Sequence, residues 1–555
     1  MDVARPARKF SLSRLALASS EARFVAVVSV ILLVLTSLPT LYGYLSTPQD
    51  RWFSGVVYNV HDTSQYLSWM RESGTAVFIE NRLTSEPNEA IYLNLHWWIP
   101  GRVAHVLGLS LPQIYQVFRF ASVPLATAAI YVLCTAFFDD KPKRRFAFLL
   151  AILTSGLGWV WVVQKYATGA PDVLFPHDVY TTPGNTFWVM VASPHLTLAL
   201  ALTVFVLFLS FRGYQNQRFS VSVMAGLAAL FLGWGHIYDL VTIWAVLAIF
   251  GLLLTLRDGF RWRTFFRLFV VVLLSAPSAL YWAWVSSDAH PMWQEALAQY
   301  DNLGAFTPDP AHLVILLGLT FLIALLTFDG LVPLKGRSDR DLFVKSWFIV
   351  VPLLVYLPLH FEIMLLTGYQ LPMAILATAG IFDHVLPWLR ERWPSKATSE
   401  RLLRALPALF LAVVSLTNLY LLGWRVLDMK RHGYPFYLHA DDRAALGWLE
   451  ENAHPEDVVL SAFETGHYIP GLSGTRPFLA NAVMTLSFNQ KLALVQRFYG
   501  GDMTPEEQQS FLHGYGIDFL LWGPAERVLG PFNPDESEFL IQTFTTDEVS
   551  IYRVP

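Results

Sequence analysis

Cysteine is almost missing from this chain: Cys134 is the one thiol among 555 residues, and it lies inside an apolar run. No internal disulfide can form, and a cysteine cage for a metal is excluded. Charge is scarce as well, 15% of residues against the roughly 25% of an ordinary soluble domain. The net charge is -4 and no basic tract resembles a nucleic-acid footprint, which argues against that partner. No His-Glu-x-x-His pair marks a zinc site, and Gly466, Gly471 and Gly474 fit neither dinucleotide nor phosphate-loop spacing. Internal repeats and low-complexity segments are absent too.

What is there is apolar. Hydrophobic residues make up 54% of the chain, with 19 Trp and 22 Tyr suited to long membrane–water margins. At about 20 apolar residues per crossing, spans are expected near 24–45, 112–137, 146–164, 189–211, 219–235, 238–256, 264–285, 311–328, 342–359, 370–389 and 405–424. The connections 139–145, 212–218, 257–263, 329–341 and 390–404 are basic, whereas 165–188, 286–310 and 360–369 carry almost no Lys or Arg. Basic loops stay cytoplasmic. The reading is therefore a mainly α, polytopic bundle of about eleven spans, N-terminus in and C-terminus out. Arg5, Arg8, Lys9, Arg14 and Arg23 precede the first apolar run, which is too long for a signal-peptide core and reads as a retained span.

Two stretches fall outside the spans. The first outer loop, 46–111, sets Tyr66, Trp69, Met70 and Ser73 at helical spacing, and a second helix is expected through Tyr92, Leu95 and Trp98. Both are expected to lie at the membrane surface. After residue 430, helix patterns at 441–451, 488–499 and 505–513 alternate with short apolar strands at 458–461, 517–523 and 549–554. This predicts a membrane domain over 1–429 and a small extracytoplasmic α/β domain over 430–555.

The alternation also sorts the polar residues. His61, Asp62, His195, His236, Asp239, His360 and Glu362 all fall at the ends of spans that face away from the basic loops. A carboxylate such as Asp62, held at a membrane surface, suits a general base or a ligand for a divalent ion. It equally suits an N-cap for a helix beginning at Thr63. Glu86 is a second carboxylate of the same loop. Arg119 lies two turns inside a span, where an ionisable group points to function; its guanidinium fork matches phosphate, and the plainer alternatives are a snorkelling Arg or a structural pair with a span carboxylate. His195, His236, Asp239 and His360 share one depth; singly each is a helix-end residue, jointly they form a site. Glu362 and Gln370 flank a short outer turn and would either meet sugar hydroxyls or simply shape the turn.

With these pieces in order, the chain resembles the GT-C class of integral-membrane glycosyltransferases, of the protein mannosyltransferase and aminoarabinose transferase type. The resemblance rests on Asp62 in HDTSQYLSWMRE (61–72) opening a long first outer loop, and on an α/β domain after the last span. The segments TSEPNEA (84–90), SPHLTLALAL (193–202), GHIYDLVTIW (235–244) and YQLPMAILATAGI (369–381) look like pieces of bacterial members. The resemblance implies a sugar donor linked to a polyprenyl phosphate, an extracytoplasmic glycan, lipid or protein acceptor, and a multi-pass protein of the cell membrane. Asp62 would be the general base of an inverting transfer. His61, Glu86, Arg119, His195, His236, Asp239, His360, Glu362 and Gln370 would line the substrate site. One clear carboxylate, rather than an acidic pair, departs from the pattern. Branches of the class differ in using a divalent cation, so the metal is left open. The alternatives are a transporter or flippase of lipid-linked glycans, which would favour repeats and midplane charges, and a non-catalytic protein of the same fold.

Overall fold

The computed structural model describes residues 19–170, 176–299, 306–328, 334–392 and 397–555. Arg5, Arg8, Lys9 and Arg14 lie outside the described residues, as do parts of the connections 165–188, 286–310, 329–341 and 390–404. In chain order the first helices are α1 (Ser19–Ser46), α2 (Val60–Ser73), α3 (Leu95–Leu107), α4 (Leu111–Phe137), α5 (Lys141–Leu153) and α6 (Gly158–Thr168). They are followed by α7 (Thr186–Ala192), α8 (Pro194–Gln215), α9 (Phe219–Gly233), α10 (Tyr238–Asp258) and α11 (Trp262–Val285). Next come α12 (Pro291–Ala298), α13 (Pro310–Leu325), α14 (Asp339–Leu354), α15 (Gln370–Ala379), α16 (Leu386–Arg392), α17 (Ala397–Val414) and α18 (Leu416–Lys430).

Every expected span coincides with helix, but not with one straight rod each. Among the described residues six helices are long and apolar enough to cross a membrane, or up to eight if each of two bent pairs is one span. The chain is thus a multi-pass membrane protein, with α9 and α13 as shorter apolar helices. The bent pairs are α5–α6, broken by 50°, and α17–α18, broken by 41°. A break frees backbone groups that hydrocarbon cannot satisfy, and here the two breaks satisfy one another. Ser155 donates its N–H to Val414 O (2.8 Å), and Leu157 donates to Ile315 O (2.9 Å). The Ser155 hydroxyl adds a second bond to Val414 O (2.6 Å), and Asn418 Nδ2 reaches Leu153 O (2.8 Å). Buried Asp178 closes the arrangement by accepting from Gly158 N (2.9 Å) and Thr417 Oγ1 (3.3 Å).

The chain divides into two compact units. One gathers Met1–Ser37, Arg119–Leu280 and Asp301–Trp424; the other gathers Leu38–Phe118, Tyr281–Tyr300 and Arg425–Pro555. The first loop therefore folds with the C-terminal segment, unlike the expected division at 429/430. In this second unit, strands Val458–Leu460 and Arg476–Pro477 are parallel, Val458–Leu460 and Phe519–Trp522 are parallel, and Ser550–Arg553 runs antiparallel between Phe519–Trp522 and Ile541–Thr545. Side chains alternate across a strand, so Val459, Phe519 and Leu521 enter one apolar cluster while Val458, Leu460 and Leu520 enter another. The first cluster includes Val56 and Val60 of the first loop, together with Ala445, Leu446 and Leu449. The loop is thus part of the α/β core.

Helix α2 differs most from expectation. Nine of its fourteen residues are buried and the other five half-buried, so it lacks the broad exposed apolar side of a helix lying on a membrane. It packs on α3 and on the short helix Ile469–Leu472. Both contacts rely on glycine: a Cβ at Gly101 would stand 2.4 Å from Met70 O, and one at Gly471 would stand 3.0 Å from Leu67 Cβ. Helix α3 shows the surface pattern instead, leaving Ile99, Val103, Val106 and Leu107 exposed along one side. Gly101→Val is expected to lower the thermal midpoint of the purified protein through an overpacking cost of about 1–3 kcal/mol. An unchanged midpoint would show that α2 and α3 are not held this closely.

Candidate functional site

In the second unit, Asn59 is the N-cap of α2, held in the left-handed region (φ 44°). Its carbonyl accepts from Thr63 N (3.0 Å), and its side-chain amide donates to Asp62 Oδ2. Asp62 is therefore not the cap that its spacing allowed. It is the third helical residue, and its charge complements the positive end of the helix. Asp62 is half-buried as a residue, and desolvation by the surrounding protein pushes its carboxyl up to about 6, against the opposing bond from Asn59.

His61 accompanies it. Its Nε2 hydrogen-bonds the Tyr434 hydroxyl (2.6 Å), and its ring meets those of His467 (4.7 Å) and Phe463 (5.0 Å) edge-on. Burial lowers the proton affinity of His61. His467 is fully enclosed and falls to about 3, first through burial and then through the His61 charge it would face. Its Nδ1 donates to Phe463 O (3.0 Å), leaving Nε2 as a buried acceptor. Both imidazoles are neutral at pH 7. Asn481 fixes the turn from the other side, donating from Nδ2 to His61 O (3.3 Å). Arg425 lies 6.0 Å from the Tyr58 ring and pairs with Asp428 (2.7 Å).

The other acids of the loop have fixed partners. Glu86 pairs with the buried ammonium of Lys491 (2.8 Å), which also reaches Ser85 Oγ (2.8 Å). Burial alone would raise Glu86, but Lys491 holds it below the usual carboxylate range. Glu89 pairs with His290 (2.5 Å). Glu72 is pushed up to about 8 by burial, yet it sits in an ion cluster with Arg82, Glu80 and Arg476 rather than at an open edge. Arg71 pairs with Glu450 (2.8 Å).

A separate group forms in the first unit. His236 Nδ1 bonds Asp239 Oδ2 (2.8 Å), and the His195 ring lies 6.2 Å from that of His236. Tyr238 meets His236 (5.2 Å) and Phe361 (4.6 Å), which brings the turn carrying His360 and Glu362 beside this group. Gln370 opens α15 and accepts from Thr186 Oγ1 (3.4 Å). Arg119 is enclosed and donates to Thr36 Oγ1 (2.9 Å) and Ser37 Oγ (2.8 Å), a brace between α4 and α1. Sequence reasoning thus named both groups but missed Tyr434, His467, Asn481 and Arg425. Of the Asp62 surroundings only Asn59, three residues upstream, left a local signal. Among the described residues no three His, Cys, Asp or Glu side chains converge as a metal site, and the amide beside Asp62 is a poor substitute for the several oxygens a hard cation takes.

No protein-family model matches the chain, and no characterised protein matches it by sequence. Solved structures do match in shape. The archaeal oligosaccharyltransferase AglB from Archaeoglobus fulgidus, in complex with an inhibitory peptide and a dolichol-phosphate, aligns with TM-score 0.53 and 12% identity over 95% of this chain and 73% of its own. The mycobacterial arabinofuranosyltransferase AftD aligns with TM-score 0.51 and 12% identity over 97% of this chain, which spans 42% of AftD. ArnT from Cupriavidus metallidurans, bound to undecaprenyl phosphate, aligns over 97% and 98% of the two chains with 12% identity and TM-score 0.48. The architecture assembled above, from apolar helices through a buried first-loop helix to a C-terminal sheet, is the fold of the GT-C glycosyltransferases.

Proposed function

We propose that the protein is a membrane glycosyltransferase that moves a sugar from a polyprenyl-phosphate-linked donor to an acceptor on the extracytoplasmic side, with Asp62 as general base. The observation that carries this reading is the placement of Asp62, a half-buried residue in the first turn of α2 whose side chain meets the Asn59 amide rather than a cation, where burial pushes it up to about 6. At pH 7 a group titrating near 6 is mostly ionised, yet it is a stronger base than an ordinary aspartate. Neutral His61 and Tyr434 beside it offer hydrogen bonds without competing for the proton.

The reaction follows from these groups. An acceptor hydroxyl oxygen attacks the anomeric carbon as Asp62 takes its proton. The bond from that carbon to the phosphate oxygen breaks, and its electron pair leaves with the lipid phosphate. Attack opposite the leaving group inverts the configuration. The phosphate charge that develops needs a fixed cation, and Arg425 is our candidate in the same unit as Asp62. Arg119 is assigned to bracing instead, because both arms of its guanidinium hold hydroxyls of α1. The dolichol-phosphate in the AglB complex supports a lipid phosphate as the carrier. Glu86 is assigned to holding the loop through Lys491, and the His195, His236, Asp239, His360, Glu362 and Gln370 group to contacts with substrate. The alternation of basic and non-basic connections supports a cell-membrane location with the site facing outward, and the exposed apolar side of α3 supports its lying at the membrane surface.

Two outcomes test this reading on purified protein given radiolabelled polyprenyl-phosphate sugars. Asp62→Asn is expected to reduce transfer about 10²–10⁴-fold, the usual worth of a general base; transfer at the wild-type rate would remove the assignment. The wild-type rate is expected to fall as pH drops through about 6, because a base must be ionised and burial has raised this carboxylate to that value. A profile flat down to pH 4.5 would contradict it.

A further inference from the structure

A cleft in the first unit lies far along the chain from Asp62. Helices α10 and α11 part at their shared loop to leave a cavity of about 350 Å3. Its walls include Leu247, Gly251, Leu268 and Val272, and Thr255, Asp258, Arg261 and Thr264 add polar groups at the loop end. Trp244 Nε1 donates to Ser275 Oγ (3.0 Å) and joins the two helices at the far end. From Trp244 to Asp258 the cleft is about 21 Å long at 1.5 Å per residue, the reach of one extended acyl chain. Gly251 keeps it open, since even a Cβ there would stand 3.3 Å from Leu268 Cδ1.

The surroundings say what such a chain would be attached to. Leu252, Phe265 and Phe269 beside the cleft are exposed, so it opens sideways, toward lipid. Phe260 and Trp262, 64% and 63% exposed at the loop end, suit the headgroup level of a membrane. Arg257 is already paired with Asp258 (2.8 Å) and Asp339 (2.7 Å). Arg261 and Arg263 are exposed and form no ion pair among the described residues. An apolar slot that ends at the Arg261 guanidinium beside Asp258, with exposed Arg263 two residues further along the loop, is complementary to a molecule with one anionic end and one aliphatic end.

We infer that this cleft holds one acyl chain of an anionic phospholipid of the cytoplasmic leaflet, with its headgroup phosphate at Arg261 and Arg263. The leaflet follows from the basic character of the 257–263 loop.

Native mass spectrometry of the full-length protein in detergent tests this, with phosphatidylglycerol or phosphatidylcholine added. One phosphatidylglycerol is expected to be retained at least about tenfold more tightly than phosphatidylcholine, since each arginine near an anionic surface is worth about fivefold. Gly251→Trp is expected to abolish retention by filling the slot. The surface pair Arg261→Gln with Arg263→Gln, which leaves packing untouched, is expected to erase the preference for phosphatidylglycerol. Equal retention of the two lipids by wild type, or undiminished phosphatidylglycerol on both variants, would overturn the inference. So would undecaprenyl phosphate displacing phosphatidylglycerol at equal concentration, because the cleft would then be a carrier site.

Discussion

The enclosure of α2 is the constraint on which the functional reading depends. This 14-residue helix carries Ser64, Gln65, Ser68 and Ser73 among its buried residues, a poor sequence for either a membrane span or an isolated helix. It holds its place because Gly101 and Gly471 let neighbouring backbones come close and because Val56 and Val60 enter the core of the C-terminal sheet. Packing of that kind strips water from the first turn. The raised affinity of Asp62 is a consequence of the same contacts, so structure and proposed chemistry have one origin.

Electrostatics then separates Asp62 from the other acids of its loop. Glu86 faces the Lys491 ammonium, Glu89 bonds the His290 ring, and Glu72 and Glu80 lie in an ion cluster with Arg82 and Arg476. These groups hold the loop against the C-terminal segment and are constrained by their charge partners. Asp62 meets an amide instead, while the nearby imidazoles are neutral. A carboxylate without a fixed cation, part exposed and partly desolvated, is free to exchange a proton.

The sequence made much of this legible. Apolar runs located the six helices, or up to eight, that are long and apolar enough among the described residues to cross a membrane, because hydrocarbon demands a long uninterrupted stretch. It also named Asp62 as a candidate, and it grouped His195, His236, Asp239 and His360 by depth alone, of which the first three lie together. The breaks within α5–α6 and α17–α18 were hidden, since they are satisfied by carbonyls such as Val414 that lie far away in the chain. The surface position expected for α2 followed from its helical spacing of aromatics, but spacing does not say what covers a face. Tyr434, His467 and Asn481 reach the first loop from some 370–420 residues downstream, and no local pattern encodes that.

The central claim is that folding gives Asp62 a proton affinity suited to a base, and it is open to direct measurement. Isotope-edited infrared spectroscopy can follow the carboxyl band of Asp62 during a pH titration of the folded protein, with Asp62→Asn as the blank. The account predicts a midpoint near pH 6. A midpoint at the ordinary aspartate value of about 3.9 would contradict it.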